Sequence, residues 1–208
     1  MKLFVEGGGT SNQLRTACRE GFSKFITAAG VSKRPRIVAC GSREDAFDSF
    51  CTEIGCGNPA FLLVDSETAV AATAQAGTEP ENWQPWNHLR LRVGDEWEKP
   101  ASATQKQCHL MVECMESWFM ADRATLIGFF GQGFQESQLP PSSRPIECLS
   151  KATVYDGLKR ATRPSRKGEY GKGDHSFKLL AEISPHLVMA ASPWAKRFID
   201  ELKQAMGC

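Results

Sequence analysis

The chain opens Met1-Lys2-Leu3-Phe4-Val5-Glu6-Gly7-Gly8-Gly9, a short apolar strand that ends on a carboxylate and runs straight into three glycines. An acid at the tip of a parallel strand lies where open α/β sheets place their chemistry. A second apolar run, Phe61-Leu62-Leu63-Val64, ends the same way, on Asp65-Ser66-Glu67. If both strands share one sheet, Glu6, Asp65 and Glu67 can converge at its rim. Converging carboxylates suit a hard divalent cation, magnesium or manganese. In an extended segment residues two apart face the same side, which would turn Asp65 and Glu67 toward one ion.

The spacing of apolar residues predicts the elements between these acids. Thr10 or Ser11 caps a helix that runs to about Ala29, with Leu14, Cys18, Phe22, Phe25 and Ile26 on one face. Arg36–Cys40 reads as a second strand. Ser42 begins a second helix, with Asp45 three residues on as an approximate capping box. Strand, helix, strand, helix, strand in so short a stretch is the pattern of a parallel sheet. Cys108–Val112 reads as a fourth strand. A helix is expected at 113–120, then another through Phe130 that Asp122 caps.

Two stretches break that rhythm. Residues 66–104 form a long insertion carrying Pro80, Pro85 and Pro100 together with Trp83, Trp86 and Trp97. Loops of that length are uncommon in a compact domain unless they have a task. The tryptophans either stack on bases or a partner surface, or fold back and plug the end of the sheet. A Pro/Ser linker at 140–145 then separates a core of residues 1–139 from a helical C-terminal part at 146–208 that packs on it. Helices are expected at 153–162, 175–183, 185–191 and 193–206, with Pro185 and Pro193 in first turns. The fold class is α/β, a mostly parallel sheet flanked by helices.

Composition narrows the function. The formal net charge is +1, so no global field draws the chain to nucleic acid. Between Lys151 and Lys178, however, eight Lys or Arg face three acids. Such a segment either tracks phosphates or forms a solvated face. The eight cysteines include no Cys-x-x-Cys pair, which argues for reduced thiols over zinc. No apolar run is long enough to span a bilayer, and no secretory leader is evident; a cytoplasmic location is the expectation. Gly171-Lys172-Gly173 lacks the hydroxyl and glycine spacing of a P-loop, and no Gly-x-Ser-x-Gly elbow occurs.

Glu6-Gly7 after the first strand and Asp65-x-Glu67 after the third resemble the Toprim domain of primases, topoisomerases and OLD-type nucleases. The wider chain resembles a bacterial Toprim-like family long listed without a function. It does so through Val5–Gly9, Arg36–Gly41, Leu63–Glu67, His109–Asp122 and Tyr170–Phe177. The resemblance implies a Rossmann-like sheet and one or two magnesium ions on Glu6, Asp65 and Glu67. It also implies cleavage of nucleic acid and an ATPase partner in bacteriophage defence. The usual Toprim pair is Asp-x-Asp; here the second acid is Glu67, whose extra methylene moves its oxygens outward.

Further candidates surround that set. Glu116 is a possible fourth carboxylate or a surface acid beside Trp118, with Glu113 as the alternative. Lys172 could neutralise charge on a transferring phosphate, its flanking glycines leaving its backbone mobile. His175 could orient water. Three functions compete: a metal-dependent nuclease or phosphodiesterase, a non-catalytic module that docks an ATPase, and a nucleotidyl transferase.

Overall fold

The computed structural model describes residues 1–207. Four strands, β1 (Lys2–Glu6), β2 (Arg36–Gly41), β3 (Ala60–Asp65) and β4 (Cys108–Met111), pair in parallel in the order β2-β1-β3-β4. Helix α1 (Asn12–Ala28) joins β1 to β2, and α2 (Arg43–Gly55) joins β2 to β3. Ser11 caps α1 through Leu14 N, and Ser42 caps α2 through Asp45 N. The α/β class and the parallel sheet therefore stand as read from the sequence.

Alternation along the strands splits the interior into two layers. Leu3, Val5, Phe61 and Leu63 face α1 and the C-terminal helices. Phe4, Leu62, Val64 and Leu110 face α2 and the tryptophan-rich insertion. Every residue of β3 is buried, as suits a central parallel strand covered on both sides.

The insertion is not structureless. It holds 3₁₀ turns at Ala72–Ala74 and Pro80–Asn82 and the helix α3 (Pro85–Leu91). Trp83 and Trp86 are buried in the second layer, and Trp97 lies flat on Phe47 at 4.4 Å between ring centres. They fold back, as one of the two readings had it, but onto the face of the sheet rather than its end.

After β4 the expected helix at 113–120 is a 3₁₀ helix, Met115–Ala121. Asp122 caps α4 (Arg123–Phe130) through Thr125 N. The C-terminal part contributes α5 (Lys151–Thr162), α6 (Lys172–Leu180), α7 (Pro185–Ala191) and α8 (Pro193–Met206). Their apolar residues share one continuous core with β1 and β3, from Leu158 to Phe198. Arg197 of α8, itself buried, donates to the carbonyls of Pro80, Cys108 and Gln105 at 2.8–3.0 Å. One side chain thus ties the last helix to the insertion and to β4. Among the described residues, seven cysteines are unbonded, and no helix is long and apolar enough to cross a membrane.

Candidate metal centre

β1 and β3 are neighbours, yet β1 leads outward to β2 on one side and β3 leads to β4 on the other. That reversal opens a crevice beyond their C-terminal ends, where open α/β sheets bind ligands. Glu6 closes β1 and Asp65 closes β3. With Glu67 they bring carboxylate oxygens to within 4.8 Å of one another.

Each side chain is held by its own local structure. After Glu6 the backbone turns sharply: a Cβ on Gly8 would lie 3.0 Å from Cα of Arg15, and one on Gly41 would lie 2.9 Å from the Gly9 carbonyl. Both glycines have positive φ, so no other residue fits without strain. Glu6 Oε2 accepts from Asp65 N at 3.1 Å and from Arg43 Nη1 at 3.2 Å. Asp65 Oδ1 accepts from Met115 N at 2.8 Å.

Glu67 reaches the group by another route than the one expected. β3 ends at Asp65, and Glu67 takes a left-handed backbone with φ 64°, its N–H donating to Glu113 O at 2.8 Å. A turn, not extended alternation, brings its carboxylate back. A non-glycine residue in that region costs roughly 1–2 kcal/mol, which the surrounding bonds must hold in place.

The electrostatics are crowded. Asp65 is buried, and that burial, then the fields of Glu6 and Glu116, push its carboxyl up to about 8 against Lys172 and Lys151. Burial also raises Glu6, with Arg43 opposing. Glu67 moves the other way: burial works against its charge, but its bond to Lys151 and the charges of Lys151 and Arg43 prevail. Lys151 Nζ lies 2.6 Å from Glu67 Oε1 and 3.5 Å from Asp65 Oδ2.

The donor set fits a hard cation. Among the described residues, Glu6 Oε1 and Glu67 Oε2 take no hydrogen bond, and Asp65 Oδ2 meets only Lys151. Each acid thus keeps an oxygen that can ligate, and all the ligands are oxygens, as magnesium prefers. A divalent ion would also relieve the like-charge crowding that adds to burial in driving Asp65 toward protonation.

The other expected residues lie outside the three-carboxylate group, although Glu116 and Lys172 act on Asp65 through their charges. Glu116 is wholly buried, not a surface acid, and accepts from the Tyr170 hydroxyl at 3.0 Å through Oε1. Its Oε2 has no partner, and it lies outside the three-carboxylate group. Glu113 Oε2 accepts from Lys151 N at 2.8 Å and so fixes the start of α5. Lys172 is the first residue of α6, so its backbone is helical rather than mobile. Burial disfavours the charge of Lys172, but Glu116 and Asp65 outweigh it and raise its pKa. His175 Nδ1 accepts from Gly171 N at 3.0 Å. Burial lowers its pKa, and the charges acting on it are Asp174, Lys178 and Lys167 rather than the acidic group.

Three residues that the sequence did not single out complete the site: Arg43, Lys151 and Asp95. Arg43 follows the Ser42 cap at the end of β2, the strand beside β1, so its place at the rim is inferable once the strand order is known. Arg43 also donates to the Asp65 carbonyl. Asp95 and Lys151 carry no local signal of their position.

Residues 5–203 match the family described as "Domain of unknown function (DUF4276)". No curated protein and no solved structure matches the chain.

Proposed function

The chain belongs to the DUF4276 family, and we propose that it is a magnesium-dependent, Toprim-like nuclease or related phosphodiesterase. The observation that carries this reading is the meeting of Glu6, Asp65 and Glu67 within 4.8 Å at the switch point of the sheet. The Toprim resemblance of the same segments supports it. In this reading the three carboxylates hold magnesium or manganese. Bound there, the ion supplies Lewis-acid stabilisation of phosphate oxygens and a more acidic attacking water. Arg43 fixes Glu6 for ligation, and Lys172 faces the phosphate from the start of α6. Glu116 acts on Asp65 through its field rather than as a ligand. A cytoplasmic site of action, an ATPase partner and a role in antiphage defence rest on the sequence reading and the resemblance alone and belong to the proposal.

The test is direct. Purified protein is incubated with labelled DNA, RNA and tRNA in magnesium, manganese or EDTA. Cleavage is expected with either metal and not in EDTA, and is lost in Glu6→Ala and Asp65→Ala. Full activity in both variants overturns the proposal.

A second reading has its own observation. Arg43 and Lys151 already pair with the same carboxylates, so the group is partly neutralised without an ion. The chain would then be a binding module for an ATPase. Calorimetry separates the two: absence of manganese binding favours the module.

A further inference from the structure

Alongside α6, between α1 and α4, lies a cavity of about 570 Å³. That volume falls within the range of small-molecule sites. Phe129 and Phe177 form its aromatic floor, and Lys24, Lys167, Lys178 and His175 stand around it. Two acids also line it, Glu20 and Glu182, but Glu20 is committed to Lys24 at 2.7 Å. Lys167 holds its ammonium 3.5 Å above the Phe129 ring centre, so a cation–π contact covers the face of that ring at the cavity. Among the described residues neither Lys167 nor Lys178 has a carboxylate within ion-pair distance.

The cavity adjoins the acidic centre. Phe177 packs against the turn that follows Glu6, where a Cβ on Gly7 would lie 3.0 Å from Phe177 Cζ. Helix α6 starts with Lys172, in the field of Asp65, and carries Lys178 at the cavity, roughly 9 Å farther along its axis.

An aromatic floor, a ring face covered only by an ammonium on a flexible side chain, and ammonium groups without a carboxylate partner are the complement of a base bearing a phosphate. We propose that this cavity binds one nucleotide unit, the base stacked on Phe129 in the place of the Lys167 ammonium and the phosphate between Lys167 and Lys178. The inference builds on the proposed nuclease reading, since the cavity meets the turn after Glu6 through Phe177. It names the part of the substrate recognised outside the metal centre.

The experiment reads binding without chemistry. Anisotropy of a fluorescein-labelled oligothymidylate is titrated with full-length protein in EDTA, with adenosine monophosphate as competitor. The Lys167→Glu/Lys178→Glu double variant is expected to bind at least tenfold more weakly. Its salt slope is expected to fall by about 0.7, the value of one phosphate contact on a single strand. Phe129→Leu, which keeps the apolar volume, is expected to lose about fivefold from the missing stack. The exposed pair Lys159→Glu/Arg160→Glu, outside the cavity, stays within twofold of wild type. Competition by the monophosphate at comparable affinity identifies a free nucleotide as the ligand, and its failure to compete identifies a strand. Wild-type binding in Lys167→Glu/Lys178→Glu, equal weakening in the control pair, or no binding by the wild type overturns the inference. Cleavage in magnesium is scored separately, so cavity binding without cleavage sinks the nuclease reading alone. Cleavage that is indifferent to the cavity variants sinks this inference alone.

Discussion

Asp95 grips Arg43 from 52 positions along the chain, its two carboxylate oxygens lying 3.3 Å from Nε and 2.5 Å from Nη2. The free edge of the same guanidinium reaches Glu6, and Trp97 lies beneath it at 5.1 Å. The tryptophan-rich insertion therefore does two jobs. It covers one face of the sheet, and through Asp95 it fixes the cation that orients the first acid of the site.

That linkage predicts the effect of Asp95→Asn. The Asp95 side chain is 3% exposed and Arg43 14%, so breaking the pair leaves a largely buried, half-matched cation. The expected cost is about 3 kcal/mol. A domain of this size then melts roughly 6–12 °C lower, since each kcal/mol shifts the midpoint by about 2–4 °C. Thermal denaturation checks it; an unchanged melting temperature means the contact carries no stability.

Lys151 makes the opposite kind of prediction. Its ammonium, 2.6 Å from Glu67 and 3.5 Å from Asp65, occupies the electrostatic role a divalent ion would take. Lys151→Met should therefore tighten manganese binding by about tenfold, or ~1.4 kcal/mol. Calorimetry reads this at once, and weaker binding in the variant would show that the lysine supports the ion rather than competing with it.

Much of this was legible beforehand, and the parts that were not have physical causes. The apolar runs ending in Glu6 and Asp65 marked both strand tips, and Ser11, Ser42 and Asp122 marked helix starts, because strand ends and caps are written in neighbouring residues. Glu67 was placed in the group for a reason that fails: its approach depends on a left-handed turn bonded to Glu113 beyond the ends of β3 and β4, which no local pattern encodes. Glu116 looked like a surface acid or a ligand. Its burial against Tyr170 joins residues 54 apart and appears only after the C-terminal helices dock. Arg43–Asp95 and Lys151–Glu67 are long-range pairs of the same kind.

Two buried histidines should make the fold acid-sensitive. His109 Nδ1 accepts from Arg197 Nη1 at 3.1 Å, and His88 Nδ1 accepts from Ala71 N at 3.3 Å, so both are bound as neutral rings. Burial lowers the pKa of each, that of His109 well below its ordinary value and with Arg197 adding to the effect. Because the folded values lie below the unfolded ~6.5, their contribution is fully present above about pH 6.5 and is lost as pH falls toward the folded values. Asp65, raised to about 8, works in the opposite sense over the same range, so the histidine contribution is read as a difference between proteins. Measured by urea midpoints from pH 7.5 down to 5, His109→Phe, which keeps a ring at this position, should lose less stability on acidification than the wild type; an identical pH dependence in the variant would remove His109 from the account.

The central claim is that Glu6, Asp65 and Glu67 together hold one hard cation. A crystal soaked in manganese and measured at the manganese edge tests this most directly. An anomalous peak is expected among the three carboxylates, in contact with an oxygen of each. A fully soaked crystal with no peak there, or with its only peak at the buried Glu116 or on the surface, would contradict the claim.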